Sequence, residues 1–381
     1  MAFKALQRRA REARRWLFES CFPLWSDAGM HRDGRFHEAL EASGKAAEGY
    51  TAETQTQAAQ LAAFATAYRL GWRPETARSL CETGLGLMKG EARRSDGLYR
   101  AALPDPNGPG GAPDDTPDLA ATASALAALA QLVRADERFR SPVQALTRPT
   151  VLALDRALGD GRSGGYLDHL PRPQVRSEAA QRGLLEACLD LACVDQAGGH
   201  MGRAGSLVAL FLSRLRQPET GLVTDTYQTD WRPAAQDGFS PAVQLAWAVQ
   251  LVRHARRLES ARPVEADRLY NFACATGGPQ GRIPDRCGPD GTVHDATYAV
   301  TAQAVALEAH LIYLDADDPD RETVQAACDS FDALMDDHLT REGGWIEAYD
   351  PTGQPVLDVM PAATIWPLVR ALSALVPLAE A

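Results

Sequence analysis

Apolar residues recur at helical spacing in twelve stretches of this chain, near 3–28, 52–71, 75–90, 117–136, 140–158, 178–197, 200–216, 241–258, 263–275, 295–315, 320–338 and 362–379. Short connectors, such as Gly71-Trp72-Arg73-Pro74 and Asp136-Glu137-Arg138-Phe139, alternate with long ones. The helix after each long connector is small and apolar, as in Ala120–Ala130, Ala242–Val249 and Ala299–Ala306. The other helices, such as 200–216 and 320–338, carry more charge. Alanine-rich helices pack closely and suit an inner ring, and the charged ones suit an outer layer.

Each long connector contains one copy of a repeated phrase: a glycine, an aromatic or aliphatic residue, then a polar or acidic residue. The copies start at Asp33, Asp96, Gly164, Thr220, Gln280 and Gly343, about 60 residues apart. Glycine and proline turns between short strand-like pieces, explicit in Tyr349-Asp350-Pro351-Thr352-Gly353, predict a small β-hairpin in each. Six hairpins with all long loops on one side predict an all-α (α/α)6 barrel formed by residues 1–381 as one domain. An open solenoid of helical hairpins is the competing arrangement.

Composition narrows the partners. The 381 residues include 45% hydrophobic residues, enough for a large core, and carry a formal net charge of -11. Nucleic-acid binding needs a basic face, so nucleic acid is not expected as a partner. The one basic cluster, Arg8, Arg9, Arg11, Arg14 and Arg15, reads as a solvated helix face. Seven scattered cysteines without a CxxC pair read as reduced core thiols, and no motif indicates a metal or another cofactor. Residues 1–30 lack a secretory signal pattern, and no run of about 18 uncharged apolar residues suggests a membrane span. A cytoplasmic protein without membrane contact is expected, with a homo-oligomer or a protein partner left open.

In a closed ring the N-termini of the inner helices converge beneath the long loops, where free N–H groups favour polar ligands. Thr116-Pro117-Asp118, Ser177-Glu178 and Ser240-Pro241 read as helix starts. The loops place Phe36, Glu38, Tyr166, Asp230, Trp231, Trp345 and Glu347 around this mouth. Rings for sugar C–H faces, beside carboxylates for hydroxyls, suit a small-molecule carbohydrate.

The chain resembles the N-acylglucosamine 2-epimerase family, which includes mannose isomerases and cellobiose epimerases. Leu24-Trp25-Ser26-Asp27-Ala28-Gly29 through Gly34-Arg35-Phe36-His37-Glu38 is similar to the family's opening pattern. Asp230-Trp231-Arg232-Pro233 matches its fourth-loop motif, and Gly343 through Asp350, followed by Pro361 through Pro367, resembles its closing one. The resemblance covers nearly the whole chain. It implies a six-hairpin barrel and an isomerase that moves a proton at the sugar carbon beside the carbonyl, without a metal.

The departures fall on the family's acid/base groups. Pro241 and Pro367 stand where the family has histidine, Gln244 stands where it has glutamate, and Trp366 where it has tyrosine. Gln181 and Gly183 replace two further histidines, while Glu186 survives. Proline moves no proton, so the usual mechanism is not expected to operate. Among the remaining histidines, His294 is placed at the start of the fifth inner helix, with Asp295 beside it as a cap or partner. The sequence therefore nominates His294, Glu347 and Glu38 for catalysis. It nominates Phe36, Tyr166, Asp230, Trp231, Gln244, Trp345 and Trp366 for substrate contact. Three readings stand: a divergent sugar epimerase or aldose–ketose isomerase, a non-catalytic sugar- or protein-binding barrel (a pseudoenzyme), and a carboxylate-based glycoside hydrolase.

Overall fold

The computed structural model describes residues 2–104, 115–234, 237–276, 282–314 and 320–379. Six inner helices follow the long loops: α3 (Thr54–Arg69), α5 (Leu119–Ala135), α7 (Glu178–Val194), α9 (Pro241–Arg257), α11 (Val300–Tyr313) and α13 (Ile365–Leu375). Seven outer segments alternate with them: α1 (Ala2–Trp16), α2 (Phe22–Asp27), α4 (Pro74–Lys89), α6 (Arg140–Ala157), α8 (His200–Leu210), α10 (Val264–Thr276) and α12 (Arg321–Ala333). A π-helical turn, Leu17–Cys21, joins α1 to α2. Each inner helix packs on the next, and α13 packs back on α3, so the ring is closed.

The phrase glycines explain the tight turn that begins each loop. Gly34, Gly97, Gly164, Gly221 and Gly343 all have φ between 75° and 95°, a region costly for any residue with a Cβ. Gln280 and Gly281, at the start of the fifth copy, lie outside the described residues. The ring residue that follows the glycine points between the two helical layers. Phe36 stacks on Phe64 with ring centroids 5.6 Å apart, and Trp345 stacks on Trp25 at 4.9 Å. Phe36, Tyr99, Val223, Ile283 and Trp345 are all buried.

One device recurs above this layer. The amide of Gln57 accepts from Phe36 N–H at 2.8 Å and donates to Phe36 C=O at 2.9 Å. Gln181 brackets Tyr166 in the same way, Gln244 brackets Val223, and Gln303 brackets Ile283. Thr122 gives half of the bracket to Tyr99. Each glutamine satisfies both polar groups of a backbone unit that burial removes from water.

A second repeated bond links neighbours. The first N–H of an inner helix donates to a carbonyl in the next repeat's phrase: Thr54 to Ala101, Leu119 to Asp168, Glu178 to Asp225 and Val300 to Glu347, at 2.8–3.0 Å. Ala362, just before α13, donates to Glu38 at 2.7 Å and so ties the last repeat to the first. The fourth inner helix starts at Pro241, which has no N–H to give.

Strand pairing follows the same neighbour logic. The strands β1 (Ala39–Glu41) and β8 (Val359–Pro361) pair antiparallel across the seam. The strands β2 (Val175–Ser177) and β3 (Thr226–Gln228) join the third and fourth loops. Among the strands of the described residues, β4 (Arg286–Cys287) and β5 (Val293–Asp295) pair within one loop, whereas β6 (Tyr298–Ala299) and β7 (Ala348–Tyr349) again cross between loops. The expected hairpin inside each loop survives mostly as single antiparallel bridges, such as Met30 with Phe36, Arg93 with Tyr99, Gly159 with Tyr166, Arg216 with Val223 and Leu339 with Trp345, and the longer pairings join adjacent loops.

Four local expectations change. The fifth inner helix starts at Val300 and not near 295, because 293–295 and 298–299 are strands. The second inner helix starts at Leu119, capped by Asp118, whose carboxylate accepts from Ala121 N–H at 2.7 Å. Arg9 is buried and pairs with Asp332 of α12, since α1 packs against α12 rather than facing water. Residues 362–379 are long and apolar enough to cross a membrane by length and composition, although half of that window is buried inside the ring.

Candidate functional site

The inner helices enclose a cavity of about 400 Å³ along the barrel axis. Every inner helix lines it with residues one turn apart. Ala58, Ala59 and Ala62 come from α3, Ala123, Ala127 and Ala128 from α5, and Ala242 and Ala246 from α9. Thr301, Ala302 and Val305 come from α11, and Ala363, Trp366 and Pro367 from the last repeat. Alanine at these positions is what leaves the space open. Gly183, Arg182, Glu186 and Arg370 complete the lining.

The charged residues form a network across the axis. On α7, Glu178, Arg182, Glu186 and Asp190 are spaced by four and so share one helix face. Arg182 donates to both oxygens of Glu178, at 3.0 and 3.2 Å, and the Trp247 indole N–H reaches Glu178 at 2.6 Å. Arg370 pairs with Glu186 at 2.5 Å and with Glu308 at 2.8 Å. Arg253 pairs with Asp190 at 2.5 Å. Burial alone would raise the Glu186 carboxyl, but Arg370, Arg253 and Arg182 outweigh it and hold it at about 2. Burial, with Glu186 beside it, pushes Glu308 above the ordinary carboxylate value despite Arg370.

Of the residues nominated from sequence, Trp366 lines the cavity. Glu38 and Glu347 come to the same seam, on either side of 362–364. Glu38 accepts from the Glu53 N–H at 2.7 Å and from the Thr56 hydroxyl, closing the start of α3. Glu347 accepts from the Thr364 hydroxyl at 3.0 Å and the Trp345 indole at 3.2 Å. Burial raises both carboxyls above their usual value.

The others are placed elsewhere. Phe36 and Trp345 lie between the helical layers, and Gln244 is spent on the Val223 bracket. Trp231 is buried under the Arg176 guanidinium, which sits 4.4 Å from its ring, and its indole donates to Gly164. Tyr166 bonds Asp155 at 2.8 Å, beside a separate outer cleft with Asp160 and Ser206. Asp230 is exposed and pairs with Arg232. His294 sits on β5, 3.4 Å from Asp237, and not at a helix start. Asp295 turns back to Thr297 N–H instead of capping a helix.

None of the eight histidines is among the residues lining the axial cavity, and all eight are described. Gly183 and Pro367, where the resemblance places histidine, do line it. Among the described residues, no group of three His, Cys, Asp or Glu side chains is arranged to hold a metal ion.

The N-acylglucosamine 2-epimerase model matches residues 34–371. The chain belongs to that family. Among solved structures, it is similar to a cellobiose 2-epimerase from Spirochaeta thermophila, with 18% identity and a TM-score of 0.82 over 98% of this chain and 97% of that one. A D-mannose isomerase aligns at 17% identity and 0.81 over 98% and 97%. A family 76 α-mannanase from Bacteroides thetaiotaomicron aligns at 11% and 0.67 over 97% and 95%. At these identities the likeness is one of fold. No curated protein matches the sequence significantly. The chain thus shares the family's barrel frame.

Arg182, Arg370, Glu308 and Arg253 are not among the residues nominated from sequence. Their signal was present: charged residues inside otherwise apolar inner helices, four apart on α7. A charge at the heart of an apolar helix has to find a partner, and here the partners meet on the axis.

Proposed function

We propose that this family member handles a small neutral carbohydrate in its axial cavity and does not move a proton there by the family's paired imidazoles. The observation that carries this reading is the cavity wall: mostly small side chains beside Trp366, no histidine, and a floor of Arg182, Glu186 and Arg370. Each of these arginines already has a carboxylate partner, so no unmatched cation is left at the floor to neutralise an acidic sugar. Paired guanidinium and carboxylate groups retain donors and acceptors for hydroxyls. A carboxyl held at about 2 is a far weaker base than an imidazole near 6.5. Trp366, half-buried on the wall, supplies the apolar face against which a sugar ring packs.

The test combines binding with isotope exchange. Neutral mono- and disaccharides are expected to raise the melting temperature, and Trp366→Ala to abolish the effect. Proton NMR in deuterated water is expected to show no loss of the C2–H signal. C2 exchange catalysed by the purified protein would overturn the reading.

Glu38 and Glu347 favour a second reading. Both flank the seam, and both hold a proton more readily than ordinary carboxyls, as a general acid requires. It predicts glycoside hydrolysis that Glu347→Gln abolishes. Unchanged hydrolysis in that variant rejects it.

A further inference from the structure

We propose that the opposite end of the barrel carries a second binding site, for a small oxyanion of the phosphate class. A cavity of about 280 Å³ opens there among the last turns of the inner helices. Four arginines line it: Arg69 of α3, Arg134 of α5, Arg253 of α9 and Arg370 of α13. Two carboxylates, Asp190 and Glu308, stand against them.

The pairing leaves guanidinium donors over. Asp190 is engaged by Arg253 at 2.5 Å, and Arg134 reaches the same carboxylate only at 3.6 Å. Arg370 spends its two terminal nitrogens on Glu186 and Glu308, while its buried Nε has no partner. The Arg69 side chain has neither a hydrogen bond nor an ion pair among the described residues. The helix C-terminal ends attract one cation each, but that accounts for neither the open Nε of Arg370 nor two neighbouring guanidinium groups at one rim. In a chain of net charge -11, such an excess is local and costs repulsion unless an anion fills it. Guanidinium forks match tetrahedral oxyanions two oxygens at a time. Thr66, Gln131 and Ser373 add polar atoms to the lining. The volume admits a phosphoryl group, free or on a small molecule.

The site does not depend on what the axial cavity binds. Arg370 borders both cavities, so a bound anion lies one side chain from Glu186.

Calorimetric titration with inorganic phosphate, at ionic strength fixed by chloride, tests it, with a hexose monophosphate as a second probe. Saturable phosphate binding is expected. Arg69→Gln with Arg134→Gln is expected to weaken it by about tenfold or more. Both side chains are exposed at the rim, so the variant keeps its fold, which circular dichroism checks. Arg8→Gln with Arg15→Gln on α1 changes the net charge equally and is expected to leave binding intact. Tighter binding of the hexose monophosphate assigns the site to a phosphorylated metabolite, and tighter binding of inorganic phosphate to the free anion. Heats no larger than those of chloride, or equal weakening by both double variants, overturn the proposal.

Discussion

Gln244 shows how one side chain acquires a meaning that its position in a motif does not disclose. In the sequence it occupies the place of a family glutamate and invites a substrate role. In the fold it is one of four glutamines that each hold both polar groups of a buried phrase residue. Gln57→Ala removes two bonds to buried backbone at once. A loss of about 1–3 kcal/mol in urea unfolding is expected, with carbohydrate binding unchanged. Asp168 makes a different residue-scale prediction. Burial raises its carboxyl to about 6 despite the Ser177 N–H and Arg176, and one oxygen is buried without a partner. A folded value above the unfolded value near 3.9 means that the folded state holds the proton more tightly. Stability therefore falls as pH rises from about 4 to 6, and the penalty is complete above that. Asp168→Asn is expected to raise the melting temperature at pH 7 and to flatten this slope. Melts across pH 4–8 check both. Neither effect was legible beforehand, because each depends on a partner brought in from another element.

Among the elements, the helices were readable and the loops only in part. Eleven of the twelve predicted helices begin within a few residues of their observed starts, since alanine spacing and proline or glycine breaks are local signals. The start near 295 failed because Asp295 and Val293 pair with Arg286 and Cys287, a contact that periodicity does not record. The six phrases were correctly read as one repeated unit. Their rings proved to be the packing layer beneath the loops and not the furniture of the mouth. The reason is geometric: the glycine turn drops the side chain two positions on between the helical layers, with Tyr166, half-buried beside the outer cleft, as the exception. Gly343 shows how tightly the element is seated. A Cβ there would collide with the backbone of Ser20 and Cys21 in the π-helical turn of the first outer helix. Gly343→Ala is expected to cost about 3 kcal/mol or more, combining positive φ with a backbone clash. Gly353→Ala has a similar φ of 83° and meets nothing within 4 Å, so about 1 kcal/mol is expected. Comparing the two in denaturant unfolding separates conformational strain from the clash.

At the scale of the whole molecule, the closed ring concentrates charge on its axis. Arg370 is the hub, bound to Glu186 on α7 and Glu308 on α11 and bordering both cavities. Removing it leaves two neighbouring carboxylates with less compensation inside the barrel. Arg370→Met is therefore expected to destabilise by about 3–5 kcal/mol at pH 7, as deleting one partner of a buried pair does. The sign of the pH dependence also changes. In the parent protein Glu186 sits at about 2, below its unfolded value, so its contribution is present above about pH 4.5 and lost as pH falls toward 2. In Arg370→Met the same carboxylate loses its principal counter-charge, and protonation relieves the repulsion with Glu308. The variant's deficit should thus be largest at pH 7 and shrink at pH 4, read from urea midpoints at the two values. Combining Arg370→Met with Glu186→Gln and Glu308→Gln removes the stranded charges and should recover most of the loss. A deficit that is constant with pH and persists in the triple variant would instead assign the role of Arg370 to packing against Trp366.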